Sequence, residues 1–255
     1  MNFKIVIPAR YASSRLPGKA LLDLGGAPMV VRVAKQAEKA AADEVIVATD
    51  HADVKSACEK YGVNAILTSN KHQSGTDRIA EVVELRGWSE HEIVINVQGD
   101  EPLIDPLLIQ QAAAHLASST ADIATLAHQI DDAAELFNPN AVKVICDHNN
   151  TALYFSRAPI PYARDAFARQ QDLLPPPPYL ALRHIGLYAF RCSFLLAWSR
   201  LDPPPVEQFE SLEQLRALWH GYSISVLQTS SKTPPGVDTI EDADKMQGIF
   251  DKIAR

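Results

Sequence analysis

FKIVIPARYASSRLPGK, residues 3–19, is the stretch whose reading decides the fold. Residues 3–7 are a short apolar run that stops at Pro8. That is the pattern of a buried strand closed by a residue lacking a backbone donor. Three cations follow, Arg10, Arg15 and Lys19, separated by Ala12, Ser13, Ser14 and Gly18. Small residues let backbone N–H groups approach a ligand closely. Arginine suits bidentate phosphate binding and lysine a point contact. Cations clustered on one loop repel unless an anion joins them, so the loop reads as a triphosphate site or, more blandly, as a solvated surface. It is not a Walker P-loop, because Gly18-Lys19 is followed by Ala20 and Ser13 stands where that motif needs glycine. The dinucleotide fingerprint GxGxxG is absent as well.

Working outward, strands and helices alternate. The spacing of Met29, Val33, Ala37 and Ala41 predicts a helix over 29–41, with Pro28 at its start. EVIVAT (44–49) and EIVINV (92–97) read as buried strands, and 64–67 as a shorter one. Helices are expected near 52–61, 76–86 and 106–117. Continuous apolar strands separated by helices imply a Rossmann-like, mostly parallel α/β sheet covered on both faces. Ligands of such sheets bind beyond the carboxyl ends of the strands, so the loops after Pro8, Thr49 and Val97 are expected on one rim.

The second half changes character. Residues 142–146, 152–156, 186–190 and 223–227 read as strands with fewer helices between them, pointing to a mixed sheet with a smaller antiparallel lobe. Residues 163–178 read as a loop ending in four prolines, and Pro203–Pro205 precede a helix near 211–219. A polar-faced helix is expected over 240–253. No repeat or low-complexity linker interrupts the chain, so 1–255 reads as a single domain. Within it the alternating pattern occupies mainly 1–130 and the changed one mainly 131–222.

The bulk numbers set bounds. The 255 residues carry 47% hydrophobic and 22% charged side chains, ordinary for a globular protein with a real core. A net charge of −7 argues against a general nucleic-acid binder and makes the cationic loop stand out. No apolar run is long enough for membrane insertion, and the N-terminal stretch lacks signal-peptide character. Cys58, Cys146 and Cys192 are odd in number and lack metal-type spacing. The expectation is a cytoplasmic protein with reduced thiols.

NVQGDEP (96–102) sets Gln98, Asp100 and Glu101 just past a strand, at the expected ligand rim. Turn chemistry explains Gly99-Asp100 and Pro102. It does not explain two carboxylates facing a cationic loop, whereas Mg²⁺, which binds carboxylate and phosphate oxygens together, does. Asp238 in PPGVDT reads alone as a turn or helix cap.

IPARYASSRLPGK closely resembles the signature of the CMP-Kdo synthetases, the 3-deoxy-manno-octulosonate cytidylyltransferases of the nucleotide-diphospho-sugar transferase fold. The resemblance covers nearly the whole chain through VATDH (47–51), HQSGTDR (72–78), NVQGDEP, FNPNAVKV (137–144), ALYFSRAPIP (152–161), RHIGLYAFR (183–191), LEQLR (212–216) and GVDT (236–239). CMP-sialic acid synthetases carry a more glycine-rich loop before their PGK.

The resemblance implies Mg²⁺-dependent transfer of CMP from CTP to the anomeric 2-hydroxyl of Kdo, in a homodimer serving lipopolysaccharide assembly. It implies that Asp100 and Asp238 hold the metal, and that Arg10, Arg15 and Lys19 act catalytically on the triphosphate. Nucleotide contacts are implied for Ala9, Arg10, Ser13, Ser14, Arg15, Lys19, Arg78 and Gln98. Sugar contacts are implied for Gln98, Arg157, His184, Tyr188, Glu213 and Gln214. His184 and Tyr188, four apart in a strand, point to one face. No serine or cysteine nucleophile pattern is evident. The alternatives are another sugar acid, 8-amino-Kdo or sialic acid, as acceptor, or a non-catalytic nucleotide-binding protein of the same fold. The apolar stripe Leu212, Leu215 and Trp219 reads equally as dimer contact or core.

Overall fold

The computed structural model describes residues 2–12, 16–169, 173–231 and 236–253. In chain order the elements are β1 (Lys4–Pro8), α1 (Met29–Ala37), β2 (Glu44–Thr49), α2 (Ala52–Lys60), β3 (Ala65–Leu67), α3 (Gly75–Arg86), β4 (Ile93–Asn96) and α4 (Pro106–Ser118). There follow β5 (Ile123–Gln129), α5 (Ala133–Phe137), β6 (Lys143–Cys146), β7 (Ala152–Ser156), α6 (Arg164–Phe167) and β8 (Leu182–Arg191). The last are α7 (Cys192–Trp198), α8 (Pro205–Glu210), α9 (Gln214–Trp219), β9 (Ile224–Gln228) and α10 (Ile240–Ile253). The chain forms two compact units. The first comprises 1–114, 189–199 and 233–255, and the second 115–188 and 200–232.

In the first unit β1 lies between β2 and β4, all parallel, with Ile5 opposite both Val45 and Ile95. β3 adds in parallel outside β2. Ile5, Val6 and Ile7 are fully buried, as are Val94 and Ile95, which is what a strand covered on both faces requires. α1 turns Met29, Val30, Val33, Ala34 and Ala37 inward. It is shorter than the spacing predicts. After Ala37 a 3₁₀ turn over Glu38–Ala40 ends at Ala41, whose φ of 55° stops the helix. α3 begins with a reciprocal capping box between Ser74 and Asp77 and ends at Gly87 in the left-handed region. The second oxygen of Asp77 accepts the indole N–H of Trp198 at 2.6 Å, tying α3 to α7. α10 packs Ala243, Met246 and Phe250 with Leu24, Met29 and Val237.

In the second unit β9 runs parallel to β5, and β8 lies on β5's other side. β6 is antiparallel to both β7 and β8, forming the antiparallel lobe. Two strand readings need revision. β5 went unread, and β8 is ten residues long where five were expected. α6 interrupts the stretch read as loop over 163–178. Among the described residues no helix is long and apolar enough to cross a membrane.

Candidate active site

In the first unit the rim loops converge on the end of β1. The Ala9 N–H donates to Ala48 O at 2.8 Å and continues the β1–β2 ladder one residue beyond Pro8. The backbone N–H of Tyr11 donates to Asp50 Oδ1 at 2.9 Å, and the Tyr11 ring stacks on His51 with centroids 3.9 Å apart. Two glycines make the crowding feasible. A Cβ at Gly99 would lie 2.8 Å from the Pro8 carbonyl oxygen, and one at Gly75 3.3 Å from Pro8 Cγ.

Gly18, at φ 69°, turns the loop so that Lys19 faces the acids. Lys19 Nζ donates to Asp100 Oδ2 at 2.7 Å and to Asp238 Oδ1 at 3.0 Å. These three residues come from the opening loop, the turn after β4 and the segment before α10. Asp238 is set by its neighbour: the N–H of buried Val237 donates to Asp100 O at 2.9 Å. Gly236 keeps the two segments close, since its Cβ would meet Asp100 O at 3.4 Å. Beside them, burial and the charge of Asp100 push the Glu101 carboxyl up to about 8. Glu101 thus holds a proton more readily than an ordinary carboxylate.

Arg10 is exposed at this rim, and Gln98 sits in the turn after β4. Arg78 is buried on α3. Its guanidinium donates to Asp50 Oδ2 at 3.0 Å, to Thr68 Oγ1 and to Ser69 O. Ser13, Ser14 and Arg15 lie outside the described residues.

The second unit gathers the other predicted residues. His184 on β8 bonds Thr125 Oγ1 at 2.9 Å and packs 5.2 Å from the Tyr188 ring. Burial, with help from the charge of Arg183, pushes His184 down to about 3, so the ring is neutral. Tyr188 is held well above the usual phenol range by burial and by the charge of Glu213. Glu213 caps α9, and the next residue, Gln214, has a buried Nε2 with no hydrogen-bond partner among the described residues. A buried donor without a partner is destabilising, and a polar ligand would relieve it. Arg157 follows β7. Its guanidinium donates to Glu210 O at 2.7 Å, to Pro139 O at 2.9 Å and to Ser211 O at 3.4 Å. All three partners are neutral carbonyls, which orient the guanidinium.

The chain matches the cytidylyltransferase family profile over residues 4–232. The chain belongs to the cytidylyltransferase family. This cytidylyltransferase is 51% identical over 253 residues to a 3-deoxy-manno-octulosonate cytidylyltransferase of Neisseria meningitidis serogroup A, with 99% of each chain covered. The same figures hold for a protein of that name from Neisseria gonorrhoeae. Among solved structures it superposes with a TM-score of 0.88 on a CMP:2-keto-3-deoxy-manno-octonic acid synthetase complexed with CTP, at 42% identity, covering 99% of this chain and 100% of the other. A cytidylyltransferase from Leptospira borgpetersenii shares the fold at 16% identity and a TM-score of 0.63, with 99% and 87% covered.

Three residues of this cytidylyltransferase escaped the sequence reading. Asp50 links Arg78 to Tyr11. Glu210 accepts from Ser156 Oγ at 2.6 Å and from the Arg157 N–H at 3.0 Å. Lys143 is fully buried. Asp50 stood inside a quoted motif, VATDH, which was a usable signal. Glu210 lies in no quoted motif, and Lys143, though inside FNPNAVKV, looked like one residue of a strand.

Proposed function

We propose that the protein transfers CMP from CTP to the anomeric 2-hydroxyl of Kdo, giving CMP-Kdo and pyrophosphate for lipopolysaccharide assembly in the cytoplasm. The observation that carries this reading is Lys19 Nζ seated between the carboxylates of Asp100 and Asp238. The hydroxyl oxygen forms a bond to the α-phosphorus, the bond from that phosphorus to the bridging oxygen breaks, and pyrophosphate leaves with the electron pair. Charge grows on phosphate oxygens throughout, so the protein's task is positioning and neutralisation.

Arg10, Arg15 and Lys19 meet the triphosphate, with Ala9, Ser13, Ser14 and Gln98 beside the nucleotide. Arg78 supports the same loop through Asp50. Arg157 offers its guanidinium to the sugar carboxylate, a natural partner for it. Gln214 offers its buried amide donor, and Gln98, Tyr188 and Glu213 add donors and acceptors for hydroxyls. His184, neutral and bonded to Thr125, orients the acceptor and does not take its proton at neutral pH.

The donor set fits Mg²⁺. Asp100 and Asp238 present hard oxygens around a point where positive charge already sits, and phosphate oxygens and water complete such a site. Asp100 and Asp238, which converge on Lys19 Nζ, are the two residues that would hold the ion. When bound, it would supply Lewis-acid neutralisation of the phosphates. The functional unit we read as a homodimer. Phe209 at 90% and Trp219 at 63% exposure leave apolar surface on the second unit, whereas Leu212 and Leu215 are core. Sedimentation at micromolar concentration tests this.

The central experiment is pyrophosphate release with Mg²⁺ and each of CTP, ATP, GTP and UTP, with and without Kdo. Release requiring CTP and Kdo together supports the proposal. Release only with sialic acid or 8-amino-Kdo moves the acceptor. Silence with every acceptor despite CTP binding sinks the enzymatic reading.

A further inference from the structure

Lys143 is the one lysine among the described residues whose side chain is fully buried, and it lies on β6 between β7 and β8. Its ammonium donates to three backbone carbonyls: Ala141 O at 2.6 Å, Arg157 O at 2.6 Å and Asn138 O at 3.0 Å. Three acceptors match the three protons of an ammonium, and a neutral amine would leave one unpaired. The Arg157 guanidinium meanwhile donates to Pro139 O, inside the same 138–141 loop. Lys143 thus grips that loop from below and Arg157 from its side chain, while Lys143 also holds the Arg157 carbonyl. We infer that Lys143 is a positioning residue for Arg157, fixing the guanidinium that receives the carboxylate of the sugar-acid acceptor. The inference rests on the assignment of Arg157 to that carboxylate.

Burial, and the positive charge of Arg157 beside it, lower the Lys143 ammonium to about 8; Arg183 adds to this, and Glu210 and Glu135 oppose it. Acceptor binding should therefore weaken as the pH passes about 8, while CTP binding does not follow.

The test is a double-mutant cycle of K143M and R157A, read as separate KM values for acceptor and CTP. K143M should raise the acceptor KM about 10- to 100-fold, the scale of a displaced binding group, and leave the CTP KM within about twofold. In the R157A background K143M should add little, because the group it positions is gone. Equal effects of K143M in both backgrounds, or parallel rises in both KM values, would overturn the inference and leave Arg157 in place. An R157A enzyme with normal acceptor KM would remove the Arg157 assignment and the inference with it. If K143M does not fold, K143Q decides in the same cycle: a rise in the acceptor KM alone that disappears in the R157A background supports the inference, and equal effects in both backgrounds overturn it.

Discussion

Arg78 Nη2 lies 3.0 Å from Asp50 Oδ2, and the other oxygen of that carboxylate accepts the backbone N–H of Tyr11 at 2.9 Å. One aspartate thus connects the buried face of α3 to the loop that follows β1. Replacing Arg78 by Met strands a largely buried carboxylate, which should destabilise the fold by about 3 kcal/mol. The CTP KM should rise as well. Asp50→Asn tells how: if Arg78 acts through Asp50, both variants raise the CTP KM alike. A much milder Asp50→Asn would mean that Arg78 meets the nucleotide directly.

Lys19 bridges acids that are themselves partly exposed, at 27% and 39%. Water can take over its partners, so Lys19→Met should change stability by less than about 1 kcal/mol. Turnover should fall by at least about 10²-fold, the effect of removing one charge-stabilising donor. Thermal melting and pyrophosphate release, measured on one preparation, check both halves. Asp100→Asn should behave in the same way, folded but silent.

Gly99→Ala tests packing and not charge. The added methyl meets the Pro8 carbonyl oxygen at 2.8 Å, and backbone atoms yield little. A loss of about 1–3 kcal/mol follows from such overpacking, seen as a lowered melting temperature. Gly26→Ala is not an equivalent control, because Gly26 has φ 88°. Gly186→Ala meets nothing within 4 Å and should be the milder change.

His184 makes an acid-side prediction. Its folded pKa, about 3, lies below its unfolded value, so the unfolded chain binds the extra proton first. The stability it protects is present above the unfolded value near 6.5 and declines as pH falls from there toward 3. His184→Gln should flatten that part of the stability–pH curve. An unchanged acid limb in urea titrations would show that other groups set it.

The first unit was legible because its signals are local. Apolar runs end at Pro8 and Thr49, and the apolar spacing of Ile79, Val82 and Val83 marks α3. β5 was not legible. Thr125 and His128 break its apolar run, and the partners of Thr125, His184 and the Leu187 carbonyl, are known only once the chain has folded. α7 follows β8 with no intervening turn residue to mark it. In the site, the cationic loop and the Asp100 turn could be matched by charge, whereas Asp238 reads alone as a turn or helix cap and joined them only through the family resemblance. For Arg78, in HQSGTDR, nothing local reveals that Asp50, 28 positions away, lies beside it. Lys143 defied the reading for another reason. Its partners are backbone carbonyls, which no side-chain pattern encodes.

Gly75 and Gly99 both rest on Pro8, one against its ring and the other against its carbonyl. Each sits inside a stretch whose neighbours carry the chemistry, Arg78 in one case and Asp100 in the other. Part of what looks like a chemical signature is therefore a clearance requirement. A designer moving Lys19, Asp100 and Asp238 onto another parallel sheet would carry over the charges and still miss the geometry. The two absent side chains would have to travel with them.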